Sequence, residues 1–142
     1  MADHLATAEV AVSASPAQVW AALTDPVQLK KWMFGADVES AWTRGSPIVW
    51  RGEYEQGTYE DRGEVLDVDP PHHLRMTHFS PSSGMDDVPE NYHNVSYDLE
   101  ERGDRTYVTL RQDNNSSEEE AERSAANWGL MLRSLKEVVE RG

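Results

Sequence analysis

The sequence predicts an α+β fold in which a curved antiparallel sheet of about seven strands wraps one long C-terminal helix. Three observations predict it. Two short helices follow the first strand, a series of alternating segments follows those helices, and one amphipathic helix closes the chain. Helices this short are unstable alone, so they must pack on a larger surface. The length suits a single domain, residues 1–142.

The first strand and the helix pair occupy the N-terminal third of the chain. The strand runs from about Ala6 to Ser13. Ser15 then provides a helix N-cap, and Pro16 takes the first helical position, where its missing N–H costs nothing. Asp25-Pro26 ends this helix and begins the second, because a residue before proline disfavours the α region. The apolar residues of the two helices are Val19, Trp20, Leu23, Leu29, Trp32 and Met33.

The middle of the chain alternates between apolar and polar residues, as strands with one buried face do. The residues that share one face are Ile48, Trp50, Gly52 and Tyr54, then Leu74, Met76 and His78, then Val95, Tyr97 and Leu99, and then Val108, Leu110 and Gln112. The segment from Tyr59 to Val68 does not alternate cleanly. A β-bulge near Gly63 would explain this change, so the two faces of that segment stay unassigned.

The last helix is predicted from about Glu118 to Glu140. Ser116 or Ser117, followed by glutamates, matches a capping box, and the acidic first turn suits the positive end of the helix dipole. One continuous apolar stripe, spaced three and four residues apart, consists of Ala121, Ala125, Trp128, Leu132, Leu135 and Val139. A helix of this length crosses a curved sheet from end to end.

The formal net charge is −13, which disfavours nucleic acid and anionic membranes as partners. The acidic surface either serves solubility or docks a basic partner. The chain has no cysteine, so disulfides and thiolate metal sites are excluded. The N-terminus does not resemble a signal peptide, and no apolar run reaches membrane-spanning length. We therefore expect a cytoplasmic protein.

The five histidines lack the spacing of a metal site, and no nucleophile or phosphate-loop motif is present, so we expect neither metal nor cofactor and no catalytic residue. Two polar residues, His78 and Gln112, nevertheless fall on predicted inner faces. Each is either a satisfied core residue or a pocket group that awaits a ligand. The predicted ligand-binding residues are Trp32, Trp50, Tyr54, Met76, His78, Tyr97, Gln112 and Trp128. The long Ser80–Tyr92 loop is either a lid or plain surface.

Three segments also resemble a known family, the activator of heat-shock-protein-90 ATPase (Aha1-type) homologues of the START-like superfamily. They are VSASPAQVWAALTDPVQLKKWM, then GEVLDVDPPHHL from Gly63 to Leu74, and Trp128-x-x-x-Leu132-x-x-Leu135. The resemblance covers nearly the whole chain and implies a helix-grip fold. The superfamily includes ligand carriers, lipid-transfer domains, polyketide cyclases and chaperone-binding domains.

Three functions follow from these observations. The first, implied mainly by the resemblance, is non-catalytic binding of an apolar or amphipathic small molecule in a cavity between the sheet and the C-terminal helix. The second is interaction with a chaperone. The third is a cyclase- or hydrolase-like enzyme with His78 as general base, which requires a carboxylate to orient the imidazole. The sequence offers no such carboxylate on an assigned inner face, and both a monomer and a homodimer fit.

Overall fold

The computed structural model describes residues 4–54 and 57–141. The side chain of Tyr54 lies outside that description. So does Gln56, which the sequence predicts to form a turn with Gly57. Among the described residues, seven strands and three α-helices follow one another along the chain, besides two single-turn 3-10 helices at Pro81–Ser83 and Pro89–Asn91. They are β1 (His4–Val12), α1 (Pro16–Thr24), α2 (Pro26–Trp32), β2 (Asp37–Ser40), β3 (Pro47–Tyr54), β4 (Gly57–Asp69), β5 (His73–His78), β6 (His93–Arg102), β7 (Arg105–Asn115) and α3 (Glu118–Arg141). The predicted α+β fold is confirmed.

The seven strands form one antiparallel sheet in the order β1-β7-β6-β5-β4-β3-β2. The chain therefore meanders from β2 to β7, and each of these strands pairs with its successor. β1 lies at the opposite edge from β2 although only α1 and α2 separate them in sequence. The helix pair thus carries the chain from one edge of the sheet to the other.

The predicted caps of the helix pair are present. The Ser15 hydroxyl accepts from the Gln18 backbone N–H at 3.2 Å, and the Gln18 side chain accepts from the Ser15 N–H, which completes a capping box. The Asp25 carboxylate caps α2 through the Val27 N–H at 3.0 Å. Trp32 joins the two helices, since its buried indole N–H donates to the Ala22 carbonyl at 2.8 Å.

Helix α3 packs its predicted apolar stripe against the inner face of the sheet. Ser117 caps its first turn by accepting from the Glu120 N–H at 3.1 Å. Leu132 and Leu135 are fully buried in the main core, whereas Trp128 is only partly buried at its margin. Near the C-terminal end, Lys136 donates to the Ala11 carbonyl at 3.1 Å and so fastens the helix to β1.

The bulge in β4 lies elsewhere than the sequence suggested. The register with β5 shifts between Val65 and Asp67, not near Gly63. Gly63 has a different role, because a Cβ there would lie 1.8 Å from the Thr77 carbonyl oxygen. Only a glycine lets β4 and β5 approach this closely. None of the described helices is long and apolar enough to cross a membrane.

Candidate functional site

A histidine–carboxylate pair lies where β3, β4 and β5 are neighbours. Asp61 on β4 stands opposite Trp50 on β3, and cross-strand partners project from the same side of a sheet. Trp50 belongs to the core, so Asp61 also faces inward. His78, at the end of β5, places its Nε2 2.9 Å from Asp61 Oδ2. This carboxylate is the orienting group that a general-base His78 requires.

The pair has two acceptors without donors. A carboxylate oxygen accepts, so the His78 Nε2 carries the proton, and the Nδ1 of a neutral ring then offers a lone pair. Both His78 Nδ1 and the second Asp61 oxygen, Oδ1, are buried, and no group in the described part of the chain donates to either. Each unsatisfied buried acceptor costs about 1–3 kcal/mol. Native structures contain few such groups, and ordered water, an ion, a ligand or a catalytic role accounts for those that remain.

Aromatic rings surround the pair. The edge of one ring meets the face of the other where Trp50 contacts His78, with centroids 4.9 Å apart. The His93 ring lies 6.3 Å from that of His78. His93 Nδ1 donates to the Asp113 carbonyl at 2.7 Å, which leaves its Nε2 as an acceptor when the ring is neutral.

The second predicted polar residue is already hydrogen-bonded. Gln112 on β7 is buried, and its side-chain oxygen accepts from the indole N–H of Trp128 on α3 at 2.8 Å. This bond fixes Trp128 against the inner face of the sheet near the start of α3. Gln112 and Trp128, both predicted ligand-binding residues, thus form a polar link between helix and sheet.

A cleft of about 580 Å³ opens next to His78, between the Ser80–Tyr92 loop and the N-terminal end of α3. His78 and His93 line it together with the carboxylates of Glu90 and Glu120. The Ser116 hydroxyl donates to Glu120 and lowers the pKa of that carboxyl, which favours its charged form. None of the described lining residues is a lysine or an arginine.

The Ser80–Tyr92 loop is fastened to the sheet next to this cleft. Asp87 forms an ion pair with Arg62 at 3.1 Å and accepts from the Tyr92 hydroxyl at 2.6 Å. That hydrogen bond raises the pKa of Tyr92. The Tyr92 ring also stacks on Phe79, with centroids 5.0 Å apart. The loop is therefore held against β4 and against Phe79, the residue that follows β5.

The other predicted ligand-binding residues lie in the core. Trp32, Trp50, Met76 and Tyr97 are between 0% and 8% exposed and belong to one cluster of packed side chains. Burial raises the pKa of the Tyr97 hydroxyl. A ligand reaches these four only by displacing side chains, so the accessible part of the site is the cleft beside His78. The side chain of Tyr54 lies outside the described residues.

Sequence reasoning missed Asp61 and His93. Asp61 lies on the segment whose faces were unassigned, and its register with β3, opposite Trp50, is what assigns its face. His93 pairs with His78 in the β5–β6 register, so its position follows from extending β6 toward the loop. Both signals depend on strand pairing and not on any local motif.

Comparison with known proteins establishes the relationship of the chain. The model of the activator of Hsp90 ATPase homolog 1-like protein family matches residues 13–140. No curated protein sequence is similar enough to count as a relative.

Solved structures share the fold. The protein ChR145 from Cytophaga hutchinsonii is 41% identical with a TM-score of 0.84, and the alignment covers 96% of this chain and 94% of that one. The Aha1 dimer from Colwellia psychrerythraea is 24% identical with a TM-score of 0.73 and 96% of each chain covered. CalU16 from Micromonospora echinospora is 19% identical with a TM-score of 0.72, covering 98% of this chain and 87% of that one.

The similarity to the Aha1 dimer and to CalU16 shows a shared fold alone, whereas the family match spans nearly the whole chain. The helix-grip architecture expected from the sequence is the architecture observed. This chain therefore belongs to the activator of Hsp90 ATPase homolog 1-like family.

Proposed function

We propose that this protein binds an amphipathic small molecule at the open end of the space between the sheet and α3. The observation that carries the proposal is the cleft beside His78, whose lining combines the imidazoles of His78 and His93 with the apolar side chains of Phe79 and Met85. A ligand with a polar group and an apolar body would match such a mixed lining. The cleft of about 580 Å³ beside His78 provides the entry.

The core supports binding near the cleft more than deep burial of a ligand. Tyr97 and Met76 are packed, whereas Trp128 is partly buried and anchored by Gln112. A ligand in the cleft would contact His78, whose ring packs against Trp50, without opening the centre of the core. Binding would then change the fluorescence of Trp50.

Native mass spectrometry tests this proposal first. Protein purified without denaturation is expected to carry an extra mass of a few hundred daltons that is lost on unfolding. The released compound is then added back while tryptophan fluorescence is followed. Trp50→Phe is expected to reduce the fluorescence change, and Trp20→Phe, on α1, serves as the matched control. An unliganded mass, together with no thermal stabilisation by any member of a small-molecule library, would contradict the proposal.

Family membership supports a second candidate, interaction with a chaperone of the Hsp90 class. The formal net charge of −13 would direct such a complex toward a basic surface. The test adds the purified protein to a bacterial Hsp90 and measures ATP hydrolysis at two salt concentrations. A salt-sensitive increase in hydrolysis would favour this function over small-molecule binding.

The Asp61–His78 hydrogen bond favours a third candidate, an enzyme in which His78 acts as general base. Stoichiometry separates an enzyme from a carrier. A carrier removes at most one equivalent of a compound from a metabolite extract, whereas an enzyme converts many. His78→Gln is expected to abolish such turnover, and loss of no more than one equivalent with the unaltered protein would exclude it.

A further inference from the structure

The face of α3 that points away from the sheet carries a symmetric pattern of charges. Seven residues run along the middle of this face, on the side of the helix opposite the buried Leu132 and Leu135, and all of them are exposed or half-buried. The seven, which we call the outer stripe, are Glu119, Arg123, Ala126, Leu130, Ser134, Glu137 and Arg141. Successive members are four, three, four, four, three and four residues apart, so the spacing is the same from either end, with Leu130 at the centre.

The charges of the outer stripe are complementary to those of a second, antiparallel stripe. A second α3 that packs antiparallel, with the two Leu130 residues in contact, places Arg123 level with Glu137 of the second copy. The same arrangement places Glu119 level with Arg141 of the second copy. Each pair has opposite charges and occurs twice in a symmetric dimer. A parallel arrangement would instead place every charge beside its own copy, and like charges repel.

These charges are available for contacts with another molecule. Arg123 pairs with Glu119 along the helix at 3.0 Å, and both side chains are mostly exposed. Within the described chain, no ion pair involves Glu137 or Arg141. The stripe has two acidic and two basic residues, whereas the whole chain has 26 acidic and 13 basic ones. Two copies with a net charge of −13 repel each other, so they approach most easily where the surface is locally neutral.

Apolar side chains lie at and beside the centre of the outer stripe. Leu130 is 55% exposed, and Phe34, in the turn after α2, is 71% exposed. Both line a hollow of about 370 Å³ together with Met131. The backbone φ of Phe34 is 55°, a left-handed conformation that glycine adopts at lower cost. An exposed ring on a strained backbone is typical of a contact surface, where the Leu130 and Phe34 side chains of two copies would cover one another.

From this arrangement we infer that the outer stripe binds a second copy of this chain, with two α3 helices packed antiparallel about a two-fold axis at Leu130. The interface lies on the opposite side of α3 from the sheet, so this inference is independent of the proposed ligand site. Exposed ion pairs add little affinity and mainly select the orientation. The contact consists of one helix face and one turn per copy, so the dimer is expected to dissociate on dilution. Stability measured on dilute protein therefore reports the monomer.

Analytical ultracentrifugation of charge variants tests the inference. Between about 1 and about 200 μM, the unaltered protein is expected to shift from monomer toward dimer, as mass action requires. Arg123→Glu places like charges opposite each other and is expected to weaken dimerisation at least about tenfold. Adding Glu137→Arg makes the pair opposite in charge again and is expected to restore most of the affinity. The two positions are about 21 Å apart along one helix, so this restoration requires a second chain.

The absence of cysteine from the chain allows a second test, of the register. Packed helix axes are about 9 Å apart, so facing Cα atoms at the two-fold axis are about 4–5 Å apart, within the range of a disulfide. Leu130→Cys is therefore expected to form a disulfide-linked dimer in a glutathione buffer. Ala126→Cys, on the same stripe, is the matched control. Its two copies would be about 12 Å apart along the antiparallel helices, so it is expected to stay unlinked.

Several outcomes would overturn the inference. They are a monomer at every concentration, dimerisation of Arg123→Glu equal to that of the unaltered protein, and failure of Glu137→Arg to restore what Arg123→Glu loses. Linkage of Ala126→Cys as readily as Leu130→Cys would also overturn it, because antiparallel packing about Leu130 forbids this. Circular dichroism checks that each variant is folded, and if Arg123→Glu is not, the two cysteine variants decide. None of these outcomes bears on the proposed ligand site.

Discussion

The two halves of α3 cover different parts of the sheet, and one interface is apolar whereas the other is polar. Under the C-terminal half, Leu132 and Leu135 are fully buried in the core cluster that also contains Val12 and Val108. Under the N-terminal half the interface is polar, with the Trp128–Gln112 bond. Beyond it lies the cleft that His78 shares with Glu120. The packed half supplies stability, and the polar half keeps hydrogen-bonding capacity that the fold does not use.

The largest expected effect lies in the packed half. Leu135→Ala removes a side chain with no exposed surface and is expected to lower the free energy of unfolding by about 2–5 kcal/mol. Leu130→Ala makes the same change on the same helix at a side chain that is 55% exposed, and is expected to cost less than about 0.5 kcal/mol. Urea denaturation measures both, and equal losses would refute the assignment of Leu135 to the packed core.

The second-largest effect is expected at Gly63, where β4 and β5 approach each other closely beside the site. Gly63→Ala places a methyl group against the Thr77 carbonyl oxygen and is expected to cost about 3 kcal/mol through overpacking. The strain acts beside His78, so the variant is also expected to weaken ligand binding. Hydrogen exchange of the Glu64 amide, which donates to the Thr77 hydroxyl, locates the damage. Unchanged stability would show that the strands separate easily here.

The third prediction concerns the stability that the Asp61–His78 pair contributes, and the expected effect is intermediate in size. His78→Phe leaves the Asp61 carboxylate buried without its partner and is expected to destabilise the fold by about 1–3 kcal/mol. Combining it with Asp61→Leu removes both polar groups, and the double variant is expected to regain the original stability or exceed it. Chemical denaturation of the full double-mutant cycle measures this coupling. Purely additive losses would show that the two residues are energetically independent.

The smallest effect is expected at Gly129, on α3 next to Trp128. A Cβ built there meets no atom within 4 Å, so the position is open. Gly129→Ala is expected to stabilise the helix by about 0.5–1 kcal/mol, because alanine loses less backbone freedom than glycine. Thermal unfolding followed by circular dichroism measures the gain. A loss of stability would indicate that the backbone at Gly129 has a conformation that alanine resists.

The fold was predictable because its signals are local and repeated. Alternation identified the inward positions of Met76, His78 and Gln112, and the caps at Ser15 and Asp25 marked the helix pair. Each signal depends on a few neighbouring residues, and errors at one strand do not spread to the next.

Half of the candidate site could not be found in this way. His78 was identified, but its partner Asp61 lies on a strand whose alternation is interrupted between Val65 and Asp67. A single bulge reverses the face of every residue beyond it, so a bulge placed near Gly63 gives the wrong relation between Asp61 and Val65. The pairing of Asp61 with Trp50 resolves the face, and this pairing depends on an adjacent strand.

The position of β1 has a consequence for the order of folding. Strands β2 to β7 pair with their successors, so that part of the sheet can assemble hairpin by hairpin as the ribosome releases it. β1 emerges earlier, yet Val12 pairs with Thr106, so β1 waits for residues synthesised near the end of the domain. Until then its edge is open to other nascent chains, a stage at which chaperones protect growing polypeptides.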